Sequence, residues 1–333
     1  MKRYLVILLA AFPILLVMVP AALVTFFSPQ GPDVYVETGT SPQAVDPAKQ
    51  IPVKVYRTEK QVIETIPLEQ YIEGVVSAEM PAEFELEALK AQALAARTYI
   101  VRRLRESHFA DVPEGAHVMD TIKHQAYLDD AQRKQRWGDQ YEWKSMRIRQ
   151  AVQATAGIVL TFNGQPIDAT FFSTSNGFTE NASDYFESPV PYLKSVASPW
   201  DIQSPRFEET ARISVGEMEQ KLGVRIDRAA SGDGSWYQIV ERTQGNRVGK
   251  IRIGSKEFSG REFRERLGLN SSAFSLELKG GQVVIKTRGY GHGVGMSQWG
   301  ANGMAKTGKS AEQIVKYFYQ GVTLQKFDTV MRG

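Results

Sequence analysis

From Ile51 onward, apolar residues recur with two different periods, and the period marks where the element type changes. VKVYRTEKQVIETI alternates and predicts one or two short strands. Helical spacing follows and predicts one helix over about 67–79 and a second over about 82–106. The second carries Glu83, Glu85 and Glu87 near its positive end and is rich in alanine (Ala88, Ala91, Ala93, Ala95, Ala96), which favours helix and close packing. Residues 107–140 read mostly as loop, with DTIKHQAYLDD as a short extended element. A further helix is predicted over about 140–155, closed by Gly157. GIVLTF and QPIDATFF flank Asn163-Gly164, a strong hairpin turn, and lead into the polar loop STSNGFTENASDYF.

Residues 206–288 read as a mixed α/β insertion or subdomain. EETARISV predicts a strand and GEMEQKLG a short helix, while WYQIVERTQGNRVGKIRIG reads as a hairpin. GREFRERLG predicts another helix and FSLELKGGQVVIKT another hairpin. The glycine-rich RGYGHGVGMSQWGANGMAK then precedes a helix, SAEQIVKYFYQG, and a last strand, VTLQKF. There is no tandem repeat and no regular βαβ alternation. The expected fold class is therefore α+β: a helical core with short β-hairpins over 51–333, carrying the 206–288 insertion.

The N-terminus has a different pattern. After Lys2 and Arg3, residues 4–27 (YLVILLAAFPILLVMVPAALVTFF) contain no charge. Roughly 20 apolar residues span a bilayer, whereas secretory signal cores run about 7–15. The expectation is one transmembrane helix, a single-pass anchor in the cell membrane. The leading positive charges would place the rest of the chain outside the cytoplasm. A cleaved signal, with Ala21 and Ala22 near the cut, is the alternative. Residues 28–50, rich in Pro, Ser, Thr and Gly, read as an extracytoplasmic linker. The absence of cysteine excludes disulfides and thiolate metal sites, and a net charge of +3 supplies no argument for nucleic acid.

Within GVVSAEMPAEF, one acid falls on the apolar stripe. At roughly 100° per residue from Leu68, Ile72 lies near 40°, Val75 near 340° and Glu79 near 20°, whereas Glu69 and Glu73 lie to one side. Pro81 disfavours helical geometry at Met80, so Glu79 sits in a last turn, where the helix dipole opposes negative charge. Apolar surroundings and the dipole would both raise its pKa, as a general acid requires. The competing reading comes from the second helix. By the same arithmetic Arg97 lies near 20° from Leu86, and an Arg97–Glu79 pair would lower that pKa. Both readings stand at this level.

Other candidates are weaker. The loop 173-STSNG-177 offers Ser173, Ser175 and Asn176, and Glu180 and Asp184 follow as a conceivable second carboxylate. In 289-GYGHGVGMSQWG-300, closely spaced glycines surround His292. They would allow close backbone approach to a ligand or form a structural turn, and Ser297 would cap a helix bearing Gln298. His117 and His124 match no standard zinc spacing, and 133-RKQR-136 reads as a solvated face.

Together, EGVVSAEMPAEFELEALKAQALAARTY, FFSTSNGFTE and GYGHGVGMSQWGA behind an N-terminal apolar segment resemble the stage II sporulation protein D family, which includes relatives described as enhancers of cell-wall amidases. The resemblance implies a membrane-anchored lytic transglycosylase of peptidoglycan, acting in engulfment of the forespore, with Glu79 catalytic. Ser173, Ser175, Asn176, His292 and Gln298 would line the cleft and bind sugar. It implies as partners glycan strands stripped of stem peptides, the amidase-endopeptidase stage II sporulation protein P and the membrane protein stage II sporulation protein M. No cofactor is implied. Some members carry zinc held partly by cysteine, and that metal is not carried over to a chain without cysteine. The alternatives are a non-catalytic glycan-binding activator of an amidase and a metallohydrolase.

Overall fold

The computed structural model describes residues 51–186, 188–226 and 236–332. The expected anchor and linker, residues 1–50, lie outside the described residues. Among the described residues no helix is long and apolar enough to cross a membrane.

The alternating start forms a hairpin, β1 (Pro52–Arg57) with β2 (Val62–Pro67), antiparallel with Val55 opposite Glu64. It feeds α1 (Leu68–Glu79) and α2 (Leu86–Glu106). The second helix starts later than its acidic residues suggested. Residues 81–85 form a turn because their backbone groups are held by distant partners: Asn302 Oδ1 accepts from the Glu85 N–H at 2.9 Å. Arg147 donates to the carbonyls of Ala82 and Phe84 at 3.0 and 2.7 Å.

Residues 107–140, expected to be mostly loop with an extended element at 120–130, contain a strand just before that stretch, a helix and a 3-10 turn at Gly138–Gln140. β3 (Val118–Met119) pairs parallel with β1, with Val55 opposite Val118. α3 (Asp130–Trp137) is a very polar helix started by a capping box between Asp129 and Gln132. It lacks an apolar stripe, which is why periodicity does not reveal it. Arg57, 1% exposed, ties this region to the hairpin through Glu64, Asp120 and Asp129 at 2.7, 3.0 and 3.1 Å. α4 (Tyr141–Ala154) then leads to the Asn163-Gly164 hairpin, β4 (Ile158–Phe162) with β5 (Gln165–Pro166). Both turn residues have positive φ, 51° and 77°. Phe171–Phe172 forms β6, and the short α5 (Ala182–Phe186) follows.

α2 is the central helix of the first core. Leu89, Ala93, Ala96 and Ile100 are fully buried. Its alanines let α1, α4 and β4 approach closely. Burial of Leu89 and Ile100 contributes about 1.5–3 kcal/mol each in transfer free energy.

A second core is drawn from residues 213–285. β7 (Glu208–Ser214) is followed by α6 (Val215–Leu222). β8 (Tyr237–Arg242), β9 (Val248–Ile253) and β10 (Lys256–Ser259) form an antiparallel sheet, followed by α7 (Gly260–Leu267). β11 (Phe274–Lys279) and β12 (Gln282–Arg288) form the next hairpin, and β12 also pairs with β7. Met218, Ile251, Phe263 and Val283 are fully buried between these layers.

The chain then returns to the first core. β13 (Met296–Ser297) pairs parallel with β6, and α8 (Gln298–Lys306) and α9 (Ala311–Phe318) pack on α2. β14 (Thr323–Lys326) completes the sheet with β4 and β5, and α10 (Phe327–Arg332) follows it. Helices and antiparallel strands are interspersed in small sheets, an α+β fold.

Candidate active site

Glu79 closes α1 for a local reason. Pro81 keeps Met80 out of helical geometry, and Met80 is extended at φ −129°, ψ 137°. Glu79 is left half-buried in a cleft of about 480 Å³. Its Oε1 accepts a hydrogen bond from the Ala126 N–H at 3.0 Å. Burial raises its carboxyl above the ordinary value, and the Ala126 hydrogen bond pulls it only partly back.

The pair that would have spoiled this arrangement does not form. Arg97 is fully buried and donates to Glu69 from Nε at 2.9 Å and from Nη2 at 2.6 Å. Its remaining donors reach the carbonyls of Val152 and Ile158, both at 3.2 Å. Arg97 therefore ties α1 to the end of α4 and the start of β4, while Glu79 has no cation partner among the described residues. Helical phase put Arg97 on the correct side of α2 but could not show which acid its long side chain would reach.

Glu83 is the other carboxylate lining the cleft. Partial burial would raise it, but Lys144, 2.7 Å away, outweighs that and holds it below its ordinary value. The cleft thus contains one carboxyl shifted above its ordinary value and one held below it.

The opposite wall is built by the β6–β13 pair. Ser173 and Gln298 line the same cleft as Glu79. The Trp299 N–H donates to the Ser173 carbonyl at 3.1 Å, and Gln298 Nε2 donates to Gln92 Oε1 at 3.3 Å. Phe84 and Trp299 meet edge to face with ring centroids 5.0 Å apart. Trp137, at the end of the helix that periodicity does not reveal, also lines the cleft, as do Arg136 and Arg206.

Ser175, Asn176 and His292 are placed elsewhere, which corrects the expectation that they line this cleft. Ser175 is fully buried, its N–H donating to Asp201 Oδ1 at 2.7 Å and its hydroxyl turned to the Ser198 carbonyl. Asn176 donates to the Gly245 carbonyl at 2.9 Å, on the side of the second core. His292 uses both ring nitrogens internally: Nδ1 accepts from the Val294 N–H at 3.1 Å, and Nε2–H donates to the Phe171 carbonyl at 3.0 Å. Burial pushes its pKa down to about 4, so the ring is neutral.

Asp201 is the residue that sequence patterns did not mark. It is fully buried and accepts from the Ser175 N–H and from the hydroxyls of Ser198 and Ser297. It thereby ties the STSNG loop to the cap of α8. Only contacts across the fold distinguish it from a solvated loop acid. Glu180 is buried as well, accepting from Thr243 Oγ1 at 2.8 Å and the Gly245 N–H at 3.0 Å, and it joins the two cores.

The glycine-rich run serves the chain's own packing. Gly295 has φ +82°, and a Cβ there would lie 2.1 Å from the Thr170 carbonyl oxygen. Gly291, at φ +116°, would place a Cβ 2.8 Å from that of Phe172. The close approach is of β13 and its leader to β6, and Gln298, which follows β13, lines the same cleft as Glu79. His117 and His124 are also occupied: His117 Nδ1 accepts from the Lys54 N–H at 3.1 Å, and His124 Nε2 lies 3.0 Å from Asp111. No group of three or more metal-ligating side chains occurs among the described residues.

The family model described as "Stage II sporulation protein" matches residues 56–162. Stage II sporulation protein D of Bacillus subtilis (strain 168) is 49% identical over 284 residues, covering 85% of this chain and 82% of that protein. The chain belongs to the stage II sporulation protein D family. Its counterpart from Bacillus amyloliquefaciens is 45% identical over 337 residues, covering 98% of this chain and 97% of that protein. The amidase enhancer of Bacillus subtilis (strain 168) is 29% identical over 309 residues, covering 77% of this chain and 40% of that protein. The chain is thus a sporulation protein. Within this family member, the matched segment 56–162 holds Glu79, Arg97 and Ala126, whereas Ser173, Asp201 and Gln298 lie beyond it.

Proposed function

We propose that this family member is a lytic transglycosylase that cleaves peptidoglycan glycan strands between N-acetylmuramic acid and N-acetylglucosamine during forespore engulfment. The carrying observation is Glu79, a half-buried carboxyl with raised pKa and no cation partner among the described residues, in an open cleft. In the proposed reaction the Glu79 carboxyl protonates the glycosidic oxygen and the bond to the muramoyl C1 breaks. The carboxylate then takes the proton from the C6 hydroxyl, whose oxygen bonds to C1 and closes a 1,6-anhydro ring. Protons balance and no water is consumed. One carboxyl suffices, unlike the two that hydrolytic glycosidases use. Ser173 and Gln298 bind sugar hydroxyl or acetamido groups, and Trp137 and Trp299 supply apolar faces for the rings.

The 4–27 segment anchors the enzyme to the membrane with the cleft outside the cytoplasm, beside the amidase-endopeptidase stage II sporulation protein P and the membrane protein stage II sporulation protein M. The second reading, a glycan-binding activator of an amidase, is favoured by the likeness to the amidase enhancer. Full-length protein and its Glu79→Gln variant, incubated with glycan stripped of stem peptides, decide between them by mass spectrometry of the products. Transglycosylase action predicts 1,6-anhydro ends from the wild type and their loss in the variant. Equal yields from both proteins would remove Glu79 from the reaction, and anhydro ends from neither would leave the activator reading.

A further inference from the structure

A second concavity, of about 630 Å³, opens on the solvent side of the β7–β12–β11 sheet. Lys286 stands there with Thr210 and Ser275 as its register partners on the neighbouring strands. Arg242, at the end of β8, Asn246, from the β8–β9 connection, and Asn176, from the STSNG loop, also line this concavity. Its charges are not all neutralised. Arg288 is held by Glu208 at 2.8 Å, whereas Glu209 accepts from the neutral Asn270 amide, which leaves its charge without an ion-pair partner among the described residues. Arg242 and Lys286 form no ion pair with any described residue. The concavity therefore sets two unpaired cations against one unpaired carboxylate, Glu209, and surrounds them with hydroxyl and amide groups, a net positive lining that can receive a carboxylate carried on a polyhydroxylated chain.

Its position relative to the Glu79 cleft identifies that chain. Ser173 lines the cleft and Asn176 the concavity; Pro205 and Arg206 line the cleft, and Glu208, Glu209 and Thr210 the concavity. Three residues span at most about 11 Å, so the linings of the two hollows come close along both connecting segments. The Arg206 guanidinium lies over the Tyr290 ring, 4.6 Å from its centroid, at this boundary. A polymer that leaves the cleft along these segments would reach the concavity.

We propose that this concavity is a distal glycan subsite in which Arg242 and Lys286 bind the lactyl carboxylate of a muramic acid residue remote from the cut. The proposal rests on the transglycosylase reading for its substrate class. That carboxylate is free only where the stem peptide has been removed, since the peptide otherwise caps it as an amide. The subsite thus reads the stripped state of the strand, while the cleft reads the bond to be cut.

The test uses full-length protein in detergent and the Arg242→Ala/Lys286→Ala double variant, both positions being on the exposed surface. The substrates are long stripped strands, the same strands with their lactyl carboxylates amidated, and short oligosaccharides that fill only the cleft. The double variant is expected to raise KM for long stripped strands about tenfold with kcat unchanged, and to cleave short oligosaccharides like the wild type. Amidated strands should bind wild type and variant equally. Unchanged KM on long strands, or an equal loss on short and long substrates, overturns the proposal. Strand binding is measured separately by co-sedimentation. If the wild type cleaves nothing, the transglycosylase reading fails. The subsite then stands only if the variant loses binding to stripped strands and not to amidated ones.

Discussion

Arg97 of α2 binds Glu69 of α1, not Glu79 at the same helix's end, with the nearest contact at 2.6 Å. Glu69 and Glu79 are both acids of α1, yet the fold gives one a buried guanidinium and the other a single backbone N–H. This division leaves Glu79 able to hold a proton.

Replacing Arg97 with methionine leaves Glu69 without its partner and the carbonyls of Val152 and Ile158 without their donor. Breaking one side of such a buried pair costs about 3–5 kcal/mol. The urea midpoint of Arg97→Met should fall accordingly, with activity per folded molecule retained because Arg97 does not touch Glu79. Wild-type stability together with abolished cleavage would mean that Arg97 acts in the cleft.

The raised pKa of Glu79 gives two pH dependences. Glycan cleavage needs the protonated acid, so its rate should fall on the alkaline side, above the ordinary glutamate range. Stability carries the same sign. A carboxyl whose folded pKa exceeds its unfolded value contributes fully below the unfolded pKa and loses that contribution as pH rises through the folded one. Glu79→Gln cannot ionise, so its stability relative to wild type should improve as pH rises above the ordinary carboxylate range. Thermal melts of both proteins across that range measure this, and a difference that stays flat with pH argues against a raised pKa.

Asp201 accepts three donors and holds the cleft's second wall. Asp201→Ala leaves those buried donors unpaired, at about 1–3 kcal/mol for each group left unsatisfied. The variant should be destabilised by about 3 kcal/mol, and its cleavage should suffer mainly through KM, because Ser173 and Gln298 lose their mutual placement. Asp201→Asn keeps an acceptor oxygen and should lie between. Denaturation curves with steady-state kinetics separate the two effects, and unchanged KM in both variants would rule out a positioning role.

Gly295 and Gly308 share nearly the same φ, +82° and +83°, but only Gly295 faces backbone. A Cβ at Gly295 would lie 2.1 Å from the Thr170 carbonyl oxygen, whereas one at Gly308 would meet nothing within 4 Å. Alanine at Gly308 should cost about 1 kcal/mol from conformation alone, while alanine at Gly295 should cost several-fold more and disturb the β6–β13 pair. Melting temperatures of the two variants make the comparison, and equal losses would show that close approach matters little.

Much of the local structure was legible in the residues. The apolar stripe and Pro81 placed the end of α1 at Glu79 and turned that acid inward, since helix period and the proline clash are local properties. Asn163-Gly164 specified its turn because only certain residues accept positive φ at both positions. The 130–137 helix escapes such a reading because a polar helix without an apolar stripe carries no periodic signal, although its capping box is present as Asp129 and Gln132.

The tertiary structure decided which groups meet. Arg97 had three acids on the facing helix, and only packing of α2 against α1 and α4 selected Glu69. Ser173 and Ser175 are two residues apart in one loop, yet one lines the cleft and the other is sealed against Asp201. His292 and its glycines resembled a ligand loop until the approach of β13 to β6 showed what the space accommodates. Local sequence sets backbone preference and the facing of each element. Partners far apart in the chain are chosen by how whole elements pack, and the raised pKa of Glu79 depends on that choice.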